Sequence, residues 1–217
     1  VDNFRVGTMA RFGLDRGSLA DRRPDLITCS VTGFGSTGKG AELAGYDFLV
    51  QAMSGVMAIT GRADGEPTKV GSAVVDKLTG LYAAIAILAA VEERRVSGLG
   101  QHVEVSLMGS ALAGLLNVGS SHVVADTDPG RQGNRHPSIV PYQPYRTADG
   151  VLAVAAASPS LWEKLCTALD REVWLTDERF ANNEARIVHA DDLEAEIEGA
   201  LAERSTAEWL ECLRAAG

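Results

Sequence analysis

One acid, Asp76, stands between a small, branched-apolar run and the start of a long apolar helix, in Gly71-Ser-Ala-Val-Val-Asp76-Lys-Leu-Thr-Gly80. A carboxylate in that position must be paired, placed at a helix end, or chemically employed. As an N-cap it would accept hydrogen bonds from backbone N–H groups that lack partners, and the positive end of the helix would favour its ionised form. The same setting poises a carboxylate for attack on an activated acyl carbonyl. The local pattern leaves both readings open. Elsewhere, Gly33-Phe-Gly35-Ser-Thr-Gly38-Lys-Gly40 looks superficially like a phosphate cradle, but its spacing fits neither the Walker pattern nor the dinucleotide fingerprint. The histidines at 102, 122, 136 and 189 show no metal-ligand spacing with one another or with Cys29, Cys166 and Cys212, so no metal site is expected.

The elements that must position Asp76 follow from periodicity. Val74 and Val75, then Leu78, Leu81, Tyr82, Ile85, Leu88 and Ala89, recur at helical spacing, which predicts a helix from Asp76 to about Glu92–Arg95 that is buried on one broad face. A short helix over Ser18–Arg23 is stopped by Pro24, and Leu26–Thr32 reads as a buried strand. Leu43–Ile59 reads as a helix with Tyr46, Leu49, Val50, Met53 and Met57 along its apolar side. Gln101–Val105 reads as a strand, followed by a helix capped near Ser106 and reaching Val118. Strand, helix, strand, helix in this order predicts an α/β domain with a largely parallel sheet.

After Ala125 the composition changes. Asp126 to Pro137 is a polar loop, Tyr145–Ala155 a hairpin turning at Asp149-Gly150, and Ser158-Pro-Ser160 the cap of a helix over Leu161–Leu169. Two more helices are expected over Asp191–Glu203 and Thr206–Ala216. The expected division is therefore 1–125 as part of a large α/β domain and 126–217 as a linker loop with a smaller α+β domain.

Composition sets outer bounds. The 217 residues carry a formal charge of −9 without a long cationic tract, which argues against nucleic acid as a partner. Three widely separated cysteines read as reduced thiols of a cytoplasmic protein. The longest apolar stretches are interrupted by charges or glycines, so neither export nor a membrane span is expected. Val1 with no initiator methionine and the closing Arg214-Ala-Ala-Gly217 read as cuts in a longer polypeptide.

With Asp76 in this setting, the sequence resembles the family III coenzyme A transferases of the CaiB/BaiF type, a superfamily that also holds formyl-CoA transferases and α-methylacyl-CoA racemases. The resemblance rests on Asn3-Phe-Arg5, Gly33-Phe-Gly35, Gly45-Tyr46-Asp47 with Gln51-Ala52 and Ser54-Gly55, Gly71 through Gly80, and Gly98-Leu-Gly-Gln101-His-Val-Glu-Val105. It continues through Gly133-Asn-Arg-His136-Pro-Ser-Ile-Val-Pro141-Tyr and the Asp149-Gly150 hairpin. Such an ordered set is specific where any single piece is weak. The resemblance implies a Rossmann-like large domain, incomplete in this chain, with a second, smaller α+β domain and an interlocked homodimer for the complete enzyme.

It also implies site residues. Asp76 takes the place of the acyl-transfer nucleophile, exchanging coenzyme A between an acyl-CoA and a small carboxylic acid. Asn3, Phe4 and Arg11 match positions lining the CoA site, with Arg11 toward a phosphate and Phe4 beside adenine. Some transferases carry a lysine where this chain has Ala44. The loop Gly130 to Gly133 would supply oxyanion donors, Gln51 would donate into the site, and His136 with Arg135 would orient an acyl or acceptor carboxylate. That loop lacks the extended glycine run of the formyl-CoA branch and looks more like members using dicarboxylic or branched acids.

Tyr46 separates the chemistries. Racemases of this superfamily place a histidine there, because moving an α-proton between faces needs two acid/base groups, and a phenol is a poor base at neutral pH. Tyr46 would instead donate a hydrogen bond to the substrate or shape the acyl pocket, so the resemblance favours CoA transfer. An α-methylacyl-CoA racemase is the alternative enzyme, and a non-catalytic CoA-binding or subunit-interaction fragment is the alternative of a different class.

Overall fold

The structure, a computed structural model, describes residues 1–217, which divide into two compact units, Val1–Arg131 and Gln132–Gly217. The composition change at Ala125 coincides with the end of a helix inside the first unit.

The first unit opens with two short helices, α1 (Thr8–Arg11) and α2 (Arg16–Leu19), the second capped by Asp15. Strand β1 (Thr28–Thr32) follows, then α3 (Asp47–Met53), α4 (Val56–Ile59), the long α5 (Val74–Ser97), β2 (His102–Ser106), α6 (Leu107–Gly114) and α7 (Leu116–Ala125). β1 and β2 pair in parallel with Thr28 opposite His102 and Thr32 opposite Ser106, so the helices between them form the crossover that parallel strands require. Asp2 extends this sheet beside Ser30, its N–H donating to the Cys29 carbonyl at 2.9 Å and its carbonyl accepting from Val31 at 2.8 Å. That pairing delivers Asn3 and Phe4 to the carboxyl end of β1.

Four expected helices differ in detail. The one expected over Ser18–Arg23 lies at Arg16–Leu19, because Asp15 caps it and starts it earlier. Leu43–Ile59 is not continuous: Tyr46 is the N-cap of α3, and Gly55 at φ 95° separates α3 from α4, a conformation that side chains disfavour. The helix capped by Ser106 breaks at Leu116, where φ is 47°, instead of running on to Val118. On α5 the expected core face is turned outward. Leu81, Ile85 and Leu88 are 61%, 62% and 68% exposed, whereas Val75, Thr79, Ala83 and Ala90 are buried. At about 100° per residue these two sets lie on opposite sides of the helix. The smaller residues face α3, α6 and the strands because they permit the closer approach. By length and composition α5 would suffice to cross a membrane, which the sequence reading did not anticipate. Here it packs as the helix that covers β1 and β2.

The second unit is built from the antiparallel hairpin β3 (Tyr142–Arg146) and β4 (Val151–Ala155), followed by α8 (Pro159–Ala168), a 3-10 turn (Glu172–Leu175), α9 (Asn183–Val188), α10 (Ala190–Leu201) and α11 (Thr206–Ala216). Alternate strand residues Tyr145, Leu152 and Val154 bury against Trp162, Trp174, Leu193, Ile197 and Trp209. Asp149 in the hairpin turn accepts from the Thr206 N–H at 2.7 Å and so ties the hairpin to the start of α11. Buried Arg186 has no carboxylate partner. It donates to the Val140 and Phe180 carbonyls at 2.7 and 3.0 Å and lies over the Trp162 ring at 4.8 Å.

In the first unit, the segment leading into α3 is pressed against the exit of β1. A Cβ added to Gly45 would stand 2.2 Å from the Gly33 Cα, and one added to Gly33 would stand 2.6 Å from the Gly45 Cα. Neither contact involves a side chain that could turn aside, so only glycine at both positions permits this approach. Gly45→Ala is expected to lower the stability of the protein by roughly 1–3 kcal/mol, the ordinary cost of overpacking. Urea denaturation monitored by far-UV circular dichroism would measure this, and an unchanged midpoint would contradict the close approach.

Candidate active site

A cavity of about 1140 Å³ opens at the carboxyl end of the parallel strands, the end at which open α/β sheets bind ligands. Asn3, Phe4, Gly33, Tyr46, Asp47 and Asp76 are among its lining residues, and Arg5 is the one lysine or arginine among them. The structure thus gathers Asp76, Tyr46, Asn3 and Phe4 in one place, although they are drawn from separate parts of the chain.

Asp76 is not the N-cap of its helix. Ala73 occupies that position and offers no capping side chain, so Asp76 falls in the first turn. The cap is supplied from α3. One carboxylate oxygen of Asp47 accepts from the Val75 N–H at 2.8 Å and from the Asp76 N–H at 3.3 Å. The remaining first-turn donors also have acceptors: Val74 N–H donates to the Ser72 carbonyl at 2.8 Å and Lys77 N–H to the Ala73 carbonyl at 3.2 Å. Asp76 is therefore relieved of capping, and its carboxylate makes no hydrogen bond or ion pair. Partial burial, and after it the negative charge of Asp47, push its pKa up. This reverses the expectation that the helix end would hold Asp76 ionised, because a like charge faces it and no donor does.

Gln51 also has a different part from the one expected. It is 0% exposed, its Nε2 donates to the second oxygen of Asp47 at 2.6 Å, and its Oε1 accepts from the Val70 N–H at 2.8 Å. It does not reach the cavity. Tyr46, in contrast, is no core aromatic: it is 68% exposed and its hydroxyl has no partner.

The remaining expected contributors make the following contacts. Arg11 ends α1 and is not among the cavity-lining residues, whereas Arg5 is. The Gly130 N–H, expected as an oxyanion donor, donates to the Asp128 carboxylate at 3.1 Å. Gly133 and His136 belong to the second unit. There His136 stacks on Tyr142 with ring centroids 4.9 Å apart, and its Nδ1 accepts from the Ser138 N–H at 3.1 Å. Arg135, expected to work beside His136, instead pairs with Asp191 at 2.7 Å and Glu194 at 2.6 Å. In the loop after β1, the Gly35 N–H donates to Thr32 and the Ser36 N–H to Glu104, so these two N–H groups are already taken and do not form a phosphate cradle.

Asp47 is the one residue of this network whose part the sequence does not reveal. It was visible only as the neighbour of Tyr46, because its partners on α5 are 28 and 29 residues away. The signal that could have found it was the alanine at the N-cap of α5, which leaves donors that some other acceptor must satisfy.

Comparison with known proteins agrees with this geometry. The family model described as CoA-transferase family III matches residues 1–217. A succinate–glutarate CoA-transferase from Agrobacterium fabrum is 44% identical over 189 residues, covering 87% of this chain and 47% of that protein. An acetyl-CoA:oxalate CoA-transferase from Acetobacter aceti is 36% identical over 218 residues, covering 100% of this chain and 56% of that one. Among solved structures, a CAIB/BAIF family protein from Brucella suis superposes with a TM-score of 0.83 at 40% identity, covering 99% of this chain and 57% of that chain. The chain spans about half the length of the curated relatives it matches. The chain, matched over residues 1–217 by this one family model and carrying an unbonded aspartate in the lining of the cavity beside its parallel strands, belongs to CoA-transferase family III.

Proposed function

We propose that the protein transfers coenzyme A between an acyl-CoA thioester and a free dicarboxylic acid, with Asp76 as the acyl carrier. The observation that carries this reading is the unbonded Asp76 carboxylate lining the cavity at the carboxyl end of the sheet. The relatives named above act on succinate, glutarate and oxalate, which supports dicarboxylic acids as the substrate class.

The chemistry follows from the carboxylate. An Asp76 oxygen attacks the thioester carbonyl, the C–S bond breaks, and CoA thiolate leaves behind an aspartyl acyl anhydride. The thiolate attacks the aspartyl carbonyl of that anhydride, releasing the first acid as its carboxylate and leaving an aspartyl-CoA thioester. The incoming carboxylate attacks this thioester to form a second anhydride and free thiolate. Thiolate attack on the acyl carbonyl of that anhydride then yields the new acyl-CoA and restores Asp76. Every adduct stays activated, so no ATP is consumed, and no proton needs to be moved.

The oxyanion formed at each step requires a donor. The first four N–H groups of α5 are already engaged, so the helix end does not provide it. The free Tyr46 hydroxyl lines the same cavity and takes this part in the proposed mechanism, while Arg5 serves the anionic portion of the substrate and Asn3 and Phe4 hold the nucleotide end. The exposed apolar side of α5 fits a homodimer of the complete protein, and three free cysteines fit the cytoplasm.

Incubating the protein, at the full length its gene encodes, with succinyl-CoA is expected to leave a covalent adduct on the peptide containing Asp76. Asp76→Asn should lower CoA exchange by about 10³-fold or more, the scale seen when a nucleophile is removed. Continued exchange with no adduct at Asp76 would remove the aspartate from the mechanism. Because the attacking form is the carboxylate and its pKa is raised, the rate should fall with decreasing pH along a limb displaced upward from that of an unperturbed aspartate. A pH profile of kcat/KM measures it. With a 2-methylacyl-CoA, α-proton exchange with deuterated solvent should be negligible while CoA transfer to free dicarboxylates is measurable. The reverse pattern would establish a racemase.

A further inference from the structure

The contacts around Asp47 go beyond what a helix cap needs. A cap satisfies its donors with one oxygen, and Asp47 does so, accepting from Val75 and Asp76 on α5. Its second oxygen is held independently by Gln51 at 2.6 Å, one turn along α3. Gln51 in turn has no freedom to flip. Its amide oxygen must face the Val70 N–H, at 2.8 Å, which turns its NH₂ toward Asp47. Gln51 is fully buried, so water cannot replace either bond. The chain Val70, Gln51, Asp47, Asp76 is thus a single hydrogen-bonded sequence with every donor and acceptor role determined. It ends on the backbone N–H of the residue whose side chain lines the cavity.

We propose that Asp47 and Gln51 are positioning residues for the acyl transfer, holding the first turn of α5 through the Asp76 N–H so that the Asp76 carboxylate meets the thioester carbonyl in a fixed geometry. This inference rests on the reading of Asp76 as the nucleophile. The pair has a second consequence. The negative charge of Asp47 lies beside Asp76 and opposes its ionisation, which makes the ionised carboxylate more basic and a better nucleophile. The other charged groups lining the cavity are Asp2, Arg5 and Glu42, and Lys77 follows Asp76 on α5.

The determined roles make a charge-relocation test possible. In Asp47→Asn the new amide cannot accept from α5 and from Gln51 at once, so two donors meet at one of the contacts. In Gln51→Glu two carboxylates meet. In the double variant Asp47→Asn/Gln51→Glu every bond is restored: the new amide accepts from α5 and donates to the new carboxylate, which still accepts from Val70. The negative charge has then moved away from Asp76.

The experiment follows adduct formation on Asp76 from succinyl-CoA by rapid quench and peptide mass spectrometry in the full-length protein, with steady-state kinetics and thermal unfolding alongside. Each single variant should slow adduct formation by about 10–100-fold, as a displacement of about 1 Å at the reacting atoms does. KM should change much less than kcat. The double variant should recover most of the rate, with the acidic limb of its pH profile moved to lower pH because the like charge is farther from Asp76. If a single variant fails to fold, the double variant carries the test, and a folded double variant that stays about 10–100-fold slower than the wild type overturns the inference. Adduct formation at the wild-type rate in both single variants also overturns it, while leaving Asp76 as the nucleophile. A wild-type protein that forms no adduct at Asp76 removes the nucleophile reading and this inference with it.

Discussion

The helix that carries Asp76 begins behind an alanine, and the hydrogen bonds that start it are completed by Asp47, 28 residues earlier in the chain. An isolated carboxylate accepting two backbone N–H groups is worth on the order of 1–2 kcal/mol as a cap. Its larger effect is geometric. It joins α3 to α5 at the point where both meet the carboxyl end of the sheet, so the walls carrying Tyr46 and Asp76 share one support. Had Asp76 capped its own helix, its carboxylate would have been committed to backbone donors and unavailable for chemistry. Capping from a distance leaves the Asp76 carboxylate without hydrogen bonds of its own.

The close approach of Gly33 and Gly45 supplies the second support. β1 ends at Thr32, and the chain that leaves it would be free to wander were it not for the segment entering α3, which crosses it with backbone against backbone. The N–H of Met108 at the start of α6 donates to the Gly33 carbonyl at 3.0 Å, so the exit from β2 is attached to the same point. The cavity is therefore bounded by three chain segments that converge on the ends of two parallel strands. Its contents are arranged by backbone contacts more than by a hydrophobic core: only Val50, Val75, Leu107 and Ala111 form the buried apolar cluster beneath it.

Much of this was readable from sequence where the determinants are local. The strands Thr28–Thr32 and His102–Ser106 lie within a residue or two of their expected positions, and Ser106 and Ser158 cap the helices they precede. What failed depended on distance. The periodicity of α5 is apolar around most of its circumference, so it could announce a helix but not which side is buried; the choice is made by α3, α6 and the strands. Gln51 and Arg135 were expected at the site because their side chains can donate. The structure pairs Gln51 with Asp47, and Arg135 with Asp191 and Glu194, over separations that no window of sequence reveals. Asp76 was located by the ordered motifs around it and not by its own surroundings, which were ambiguous until Asp47 was seen to perform the capping.

The same hydrogen bonds constrain the chemistry. A carboxylate at a helix start is ordinarily stabilised by the N–H groups in front of it, and stabilisation of that kind lowers both its pKa and its nucleophilicity. In this protein those N–H groups are spent on Asp47 and on the carbonyls of Ser72 and Ala73, and the charge that remains nearby is negative. The helix end consequently neither quenches Asp76 nor serves as an oxyanion hole. In the proposed mechanism the two duties are separated: the carboxylate is kept reactive by withholding donors from it, and stabilisation of the developing oxyanion falls to Tyr46, which lines the same cavity. A histidine there would bring a base suited to moving α-protons, whereas a phenol brings a donor suited to a transient oxyanion. In the proposed mechanism the difference between acyl exchange and racemisation lies in which group shares the cavity with an aspartate that has been left without hydrogen bonds.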